Sequence, residues 1–254
     1  PAKLAREMKG VVERAGVEVR ERTVVVRVTP GKVHRVETEL GEISAPTLVL
    51  GLNGYSHKLG FFRNRVLPLC SYVIATEPLS ETQWEAIGWQ NRQALSDQRV
   101  LFTYQRPTAD GRIVIGGADY PYYANDGLSS GNNKPVIELL TKDLFTTFPQ
   151  LEGLRIDHAW GDTMGFTLDL VPSVGVMGDY ANIFYGVAYN GHGVVFGQTA
   201  GRLITELMAG EESELTDLFV VNRKIPYAGP SSLRSLFARL YKEYLKRWAS
   251  NTTR

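Results

Sequence analysis

The sequence predicts a mixed α/β (α+β) chain of two lobes, an α/β layer interrupted by an antiparallel insertion. Three observations predict it. The outer thirds carry short apolar runs, ISAPTLVLGL at 43–52 and IFYGV at 183–187, the patterning of strands covered on both faces. Helical periodicity follows the second run directly, as in α/β units. The middle third carries consecutive strand-like segments with no helix between them, the mark of an antiparallel sheet. The expected boundaries are 1–61 with 149–222 for the α/β lobe, 62–148 for the antiparallel lobe and 223–254 for a C-terminal helical segment.

Along the chain, Leu4, Met8, Val11, Val12 and Ala15 share one helical face, and Gly16 ends that helix. A chain that opens inside an amphipathic helix reads as part of something longer. At 17–28, valines alternate with Glu18, Arg20 and Arg27, which is strand chemistry. Pro30-Gly31 marks a turn, 33–38 a second strand, and 43–52 a buried strand of a parallel sheet. Strands follow at 66–77, 99–104 and 112–117, with Asp110-Gly111 as the hairpin signal between the last two. At 134–148, Val136, Leu139, Leu140, Leu144, Phe145 and Phe148 form a helical stripe. A strand at 154–160, the strand at 183–187 and a helix at 194–208 complete the α/β lobe. The last helix, 233–248, has Leu233, Leu236, Phe237, Leu240, Tyr244, Leu245 and Trp248 on one face.

Composition narrows the function. Lys and Arg number 28 against 27 Asp and Glu, a net charge of +1. That balance argues against a nucleic-acid partner, which needs clustered cations to displace phosphate counterions. No apolar run approaches the ~20 residues that cross a bilayer, so no stable membrane insertion is expected. One Cys allows no disulfide within the chain and no Cys-only zinc site. A cytoplasmic setting is the default. None of the four histidines pairs at i, i+4 spacing or neighbours a Cys, so no metal is expected.

The strongest local signal is YGVAYNGHGVVFGQTAGRLITEL at 185–207, a buried strand, a Gly-rich turn and a helix. Glycines there let backbone N–H groups approach a ligand, and the helix N-terminus adds partial positive charge. The spacing Gly191, Gly193, Gly197 departs from the dinucleotide fingerprint G-x-G-x-x-G. Equally, Gly197 and Gly201 could serve only tight helix packing. Gly51, Leu52 and Asn53 end another apolar run, either as a plain turn or as a strand edge facing a cofactor. Arg106 is suited to grip a carboxylate, although such an Arg more often caps a loop.

Four stretches carry a resemblance: GVEVRERTVVVRV (16–28), LVLGLNGYS (48–56), YVIATEPL with RPTADGRIVIGG (72–79, 106–117) and AYNGHGVVFGQTAGRLITELMAG (188–210). Their order resembles the C-terminal part of the FAD-dependent D-amino-acid oxidase / glycine oxidase / sarcosine oxidase superfamily, nearest the gamma-glutamylputrescine oxidoreductase type. The resemblance implies a partial FAD-binding Rossmann-like lobe plus an antiparallel-sheet substrate lobe, without the N-terminal dinucleotide-binding unit. It implies non-covalent FAD held by Val25, Gly51, Leu52, Asn53, Gly191, His192, Gly193 and Val194. It implies a substrate cavity lined by Tyr104, Arg106, Trp160 and Tyr189, with an amine or amino acid oxidised by hydride transfer to FAD. These 254 residues alone are then expected to be inactive, and FAD to be weakly held or absent.

Two departures sharpen the expectation. Relatives that tether FAD through Cys do so in a region that here contains none, 160–172, where Leu168 also replaces a frequent Pro. Sarcosine-type enzymes place a Lys after G-H-G, where Val194 and Val195 stand here. The competing readings are a non-catalytic module binding a small acid or a partner, and membrane association through the basic helix at 233–248. For that helix, packing on its own domain is favoured. Exposed sheet edges would allow oligomers.

Overall fold

The computed structural model describes residues 1–99, 101–123, 126–128 and 131–252, with only the backbone described at 239, 241, 242 and 245–252. The chain runs α1 (Ala2–Arg14), β1 (Val25–Thr29), β2 (His34–Thr38), β3 (Gly41–Ala45), β4 (Leu48–Leu50) and a 3-10 turn at Asn53–Leu59. Then come β5 (Leu67–Thr76), α2 (Glu81–Ile87), β6 (Leu95–Ser96), β7 (Thr103–Pro107), β8 (Ile113–Gly117), α3 (Lys134–Thr147) and β9 (Ile156–Phe166). The chain closes with β10 (Ser173–Met177), β11 (Ile183–Val187), α4 (Gly193–Ala209) and α5 (Ser231–Thr252). Two compact units result, Pro1–Arg63 with Asp169–Pro226, and Asn64–Leu168 with Tyr227–Arg254.

The first unit holds two three-stranded sheets. β1-β2-β3 is an antiparallel meander, and the order β10-β11-β4 joins an antiparallel pair to a parallel one. All five residues of β11 are buried. Helix α4 closes a small core over this sheet through Ala200 and Leu203 against Val174. The expected buried strand at 43–52 is instead two strands in different sheets. β4 is three residues long, and Val49 is 48 % exposed, so the apolar run is covered on one side only. The strand expected from residue 17 begins at Val25. Helix α1 has no buried residue, and its Leu4, Met8 and Val11 lie open.

The meander is fastened at His34, which is fully buried. Its Nδ1 accepts from the Gly31 N–H at 3.4 Å and its Nε2 donates to the Asn182 carbonyl at 3.3 Å. The Asn182 amide in turn donates to the carbonyls of Gly31, Lys32 and Pro46.

The second unit is a five-stranded antiparallel sheet in the order β6-β7-β8-β5-β9. One face packs on α3: Tyr72, Ile74, Ile113 and Ile115 meet Val136, Leu140 and Leu144. The turn containing Asp110 and Gly111 joins β7 to β8, with Pro107 opposite Ile113. Asn133 caps α3 by accepting from the Val136 N–H. The expected boundary at 148/149 moves to 168/169, because β9 pairs with β5 along its whole length, from Leu67↔Phe166 to Thr76↔Ile156. The expected separate segment 223–254 also dissolves, since residues 227–254 group with this sheet unit.

Candidate functional site

In the first unit the site is made by backbone. β4 and β11 are parallel neighbours, with Leu50 opposite Tyr185, so both strands end at the same sheet edge. Residues 51–53 and 188–193 leave from that edge, the position at which open α/β sheets take ligands. The turn after β11 is tightly bent: Ala188, Asn190 and Gly191 have φ of 55°, 50° and 88°. Asn190 Nδ2 donates to the Ala188 carbonyl, and the His192 N–H to the Tyr189 carbonyl at 2.9 Å. His192 then becomes the N-cap of α4 with no side-chain cap. The N–H groups of Gly193, Val194 and Val195 have no hydrogen-bond partner among the described residues. They present the positive end of a 17-residue helix.

Asn53 has φ 43°, and its buried Oδ1 has no hydrogen-bond partner among the described residues. A Cβ at Gly51 or Gly191 would meet open space, leaving both backbones approachable. A groove of about 420 Å³ runs between α1 and the start of α4, lined by Leu4, Ala5, Met8, Gly193, Val194 and Gln198. This volume lies within the range of small-molecule sites. The α1 side of the groove had no signal in the sequence beyond its apolar stripe. Val25 is half-buried on β1, and β1 and β11 both touch the 3-10 turn that Asn53 begins. The packing reading of Gly197 and Gly201 finds no support, because a Cβ at either position would meet nothing within 4 Å.

In the second unit the candidate site is made by side chains. Tyr104, Gly116, Val73 and Trp160 lie opposite one another across β7, β8, β5 and β9. They form one row on the sheet face opposite α3, and Arg106 lies two residues from Tyr104 on that same face. A Cβ on Gly116 would collide with the Tyr104 ring, so this glycine lets the ring lie flat across β8. Burial pushes the Tyr104 hydroxyl up, with Ser71 and the Arg106 charge pulling partly back. Tyr120, missed by sequence reasoning, is pushed up to about 12 by burial and by Tyr104 and Asp97. Both phenols therefore stay protonated, as donors, at neutral pH.

Two other arginines of this unit are committed. Arg99 pairs with Asp97 and Asp143 at 2.6 and 2.7 Å, and Arg112 with Asp110 and Asp157 at 2.8 and 2.7 Å. Arg106 is exposed and has no hydrogen bond or ion pair among the described residues. Tyr189 belongs to the first unit, where its ring packs at a tilt against Phe196, centroids 5.6 Å apart, and covers Gly186. Among the described residues no group of three His, Cys, Asp or Glu is placed to hold a metal ion.

Residues 1–207 match the model of the DAO family, FAD dependent oxidoreductase. The chain belongs to this family. It is 32 % identical over 251 residues to gamma-glutamylputrescine oxidoreductase of Escherichia coli, covering 96 % of this chain and 55 % of that enzyme. It is 28 % identical over 239 residues to the probable oxidoreductase OrdL of Haemophilus influenzae, covering 91 % and 52 %. The chain thus spans about half the length of the curated relatives it matches. Its fold is that of glycine oxidase from Geobacillus kaustophilus, with a TM-score of 0.68 and 16 % identity over 84 % of this chain and 55 % of that one. FAD is the cofactor in the family's description. The open N–H groups of α4 and the orphaned Asn53 Oδ1 fit such a group, since both ask for polar partners that the described residues do not supply.

Proposed function

We propose that these residues form the flavin-edge and substrate-lobe portion of an enzyme that oxidises the C–N bond of an amine or amino acid to an imine. The observation that supports it most is the shared edge of β4 and β11, which gathers residues 51–53 beside the uncapped start of α4. When bound, FAD supplies the two-electron acceptor for such a reaction. Gly193 and Val194 would hold it through backbone N–H groups, which favour negative charge at the flavin edge. Gly51, Leu52 and Asn53 would hold its ribose–phosphate stretch, and Val25 would lie along its adenine. His192 contributes by position, since its Nδ1 is engaged with the Asn190 carbonyl at 3.2 Å. Attachment is non-covalent.

On the substrate side, Arg106 is the cation of the sheet face left for a carboxylate. Tyr104, neutral at working pH, offers a donor beside it, and Trp160, 46 % exposed, offers an apolar wall. Tyr189 stays a lining candidate through the resemblance alone. High FAD affinity requires a pyrophosphate-gripping unit in addition to these residues, which contain no G-x-G-x-x-G. A cytosolic setting completes the reading. The test is anaerobic mixing of the flavin-loaded enzyme with a panel of primary and secondary amines and amino acids. Bleaching of the flavin spectrum with release of ammonia or amine supports the proposal; no bleaching by any member sinks it.

A further inference from the structure

Two places in the second unit depart from the expected patterning. Helix α5 was expected to pack through its apolar face, yet Leu233, Leu236, Phe237, Leu240 and Tyr244 are between 48 and 63 % exposed, and Leu245 and Trp248 lie outside the described side chains. The other place is just past β8, where the ladder slips. Val73 of β5 pairs with Gly116, and Leu69 pairs with Tyr122. Between those pairs β5 advances four residues and the opposing chain six, so the segment 117–119 bulges by two. The bend is strained: Gly117 and Ala118 have φ of 100° and 62°, a region that is unfavourable for alanine. A Cβ on Gly117 would collide with the Phe102 carbonyl oxygen, so the bend needs glycine there. The Ala118 N–H donates to that carbonyl at 3.0 Å, and the Asp119 N–H to the Gly117 carbonyl at 2.7 Å. Pairing resumes where the Cys70 N–H donates to the Pro121 carbonyl at 2.9 Å.

The bend changes one side chain on the open sheet face. In unbroken register Ala118 would stand opposite Ser71; with two residues gained, Tyr120 does. A gain of two keeps the alternation, so Tyr120 stays on the face that carries Tyr104. Its ring packs at a tilt against Phe166, centroids 6.1 Å apart. The residue is half-buried, and its hydroxyl, held protonated beside Tyr104, has no hydrogen-bond partner among the described residues. The Tyr104 hydroxyl, by contrast, is already hydrogen-bonded to Ser71. A phenylalanine would pack against Phe166 equally well, so the strained bend delivers a donor that the fold itself does not use. An ammonium group has no lone pair to accept from that donor, and an oxygen has. We propose, on the reading of this face as the substrate side, that the Tyr120 hydroxyl donates to a carboxylate or carbonyl oxygen of the substrate and so selects amines that carry one.

Steady-state kinetics of the flavin-loaded full-length enzyme tests this, comparing wild type with Tyr120→Phe on amines of equal length that end in a carboxylate, a carboxamide or a methyl group. In the variant KM should rise about tenfold or more for the carboxylate and about threefold for the carboxamide, with kcat within about twofold and the alkyl amine unchanged. The melting temperature should stay within about 2 °C, because the hydroxyl holds nothing inside the fold. Equal KM values in wild type and variant overturn the proposal. So does a rise that includes the alkyl amine, or a marked fall in melting temperature, since either gives Tyr120 a packing role alone. A wild type whose flavin is reduced by no amine removes the substrate reading itself, and the role of Tyr120 with it.

Discussion

The edge of the β10-β11-β4 sheet and the open face of the five-stranded sheet do opposite kinds of work. At the edge, recognition groups are backbone N–H groups fixed by a turn with three positive φ values and a helix that starts without a side-chain cap. On the face, the groups are side chains, Tyr104, Arg106 and Trp160, brought into register by strand pairing. A backbone site tolerates changes of side chain and fails when a Cβ intrudes. A side-chain site does the reverse.

The largest expected effect falls on the face. Arg106→Met should raise KM for an amino acid about 30-fold or more, because an unpaired carboxylate costs about 2–5 kcal/mol. For an amine whose carboxylate is distant or absent the change should be small. Steady-state kinetics on both substrate classes decides, and equal KM values throughout would return Arg106 to the surface.

At the edge, Gly193→Val should lower flavin retention or reduction rate about tenfold. An added Cβ would sit 3.2 Å from the Tyr189 ring and crowd the open N–H groups. Gly201→Ala, on the same helix, should leave kinetics unchanged and raise stability by about 0.5–1 kcal/mol, since its Cβ meets nothing. Flavin titration with thermal melting separates them, and matched kinetic losses would break the contrast.

A smaller effect concerns the clamp beneath the face. Burial pushes the Asp97 carboxyl up, but hydrogen bonds from Arg99 and Thr103 outweigh it and hold the group below its ordinary value. Its contribution to stability is therefore present above about pH 4 and lost as pH falls through the lowered value. Asp97→Asn should flatten the acid limb of a melting-temperature profile; an unchanged limb would remove the clamp from the account. The smallest effect is His192→Ala, which should leave flavin reduction within about threefold. A larger loss would show that the edge uses a side chain after all.

Legibility in the sequence follows the same division. Glycine spacing announced the turn at 188–193, because only backbone with freedom at positive φ makes such a bend. Asp110-Gly111 announced the β7–β8 hairpin for the same reason. β9 runs to Phe166, past the strand expected at 154–160, because Gly161 and Gly165 interrupt the strand patterning of the sequence. Gly161 is required because the Tyr72 ring would collide with a Cβ there, a contact about 90 residues distant in sequence. Helix α2 was overlooked although Ser80 and Gln83 form a capping box, with the Ser80 N–H donating to Gln83 Oε1 at 2.9 Å. The two arginine–carboxylate ion-pair clusters could be read only in part. Asp97 and Asp110, each two residues away, were the local hint that Arg99 and Arg112 are paired, whereas their distant partners Asp143 on α3 and Asp157 on β9 come together only through tertiary packing.

The Asn182 latch carries a consequence for the order in which the chain is made. Its amide ties down carbonyls as far as 151 residues earlier, at Gly31. At ~5–20 residues per second, the β1-β2-β3 meander leaves the ribosome about 8–30 s before its fastener does. Through that interval Val26, Val33 and Leu40, open even in the finished fold, sit on a ribbon too small to be stable alone. The whole segment 64–168 emerges meanwhile. Nascent chains halted before residue 182 should therefore lean on chaperones, and the release should come with synthesis of β11.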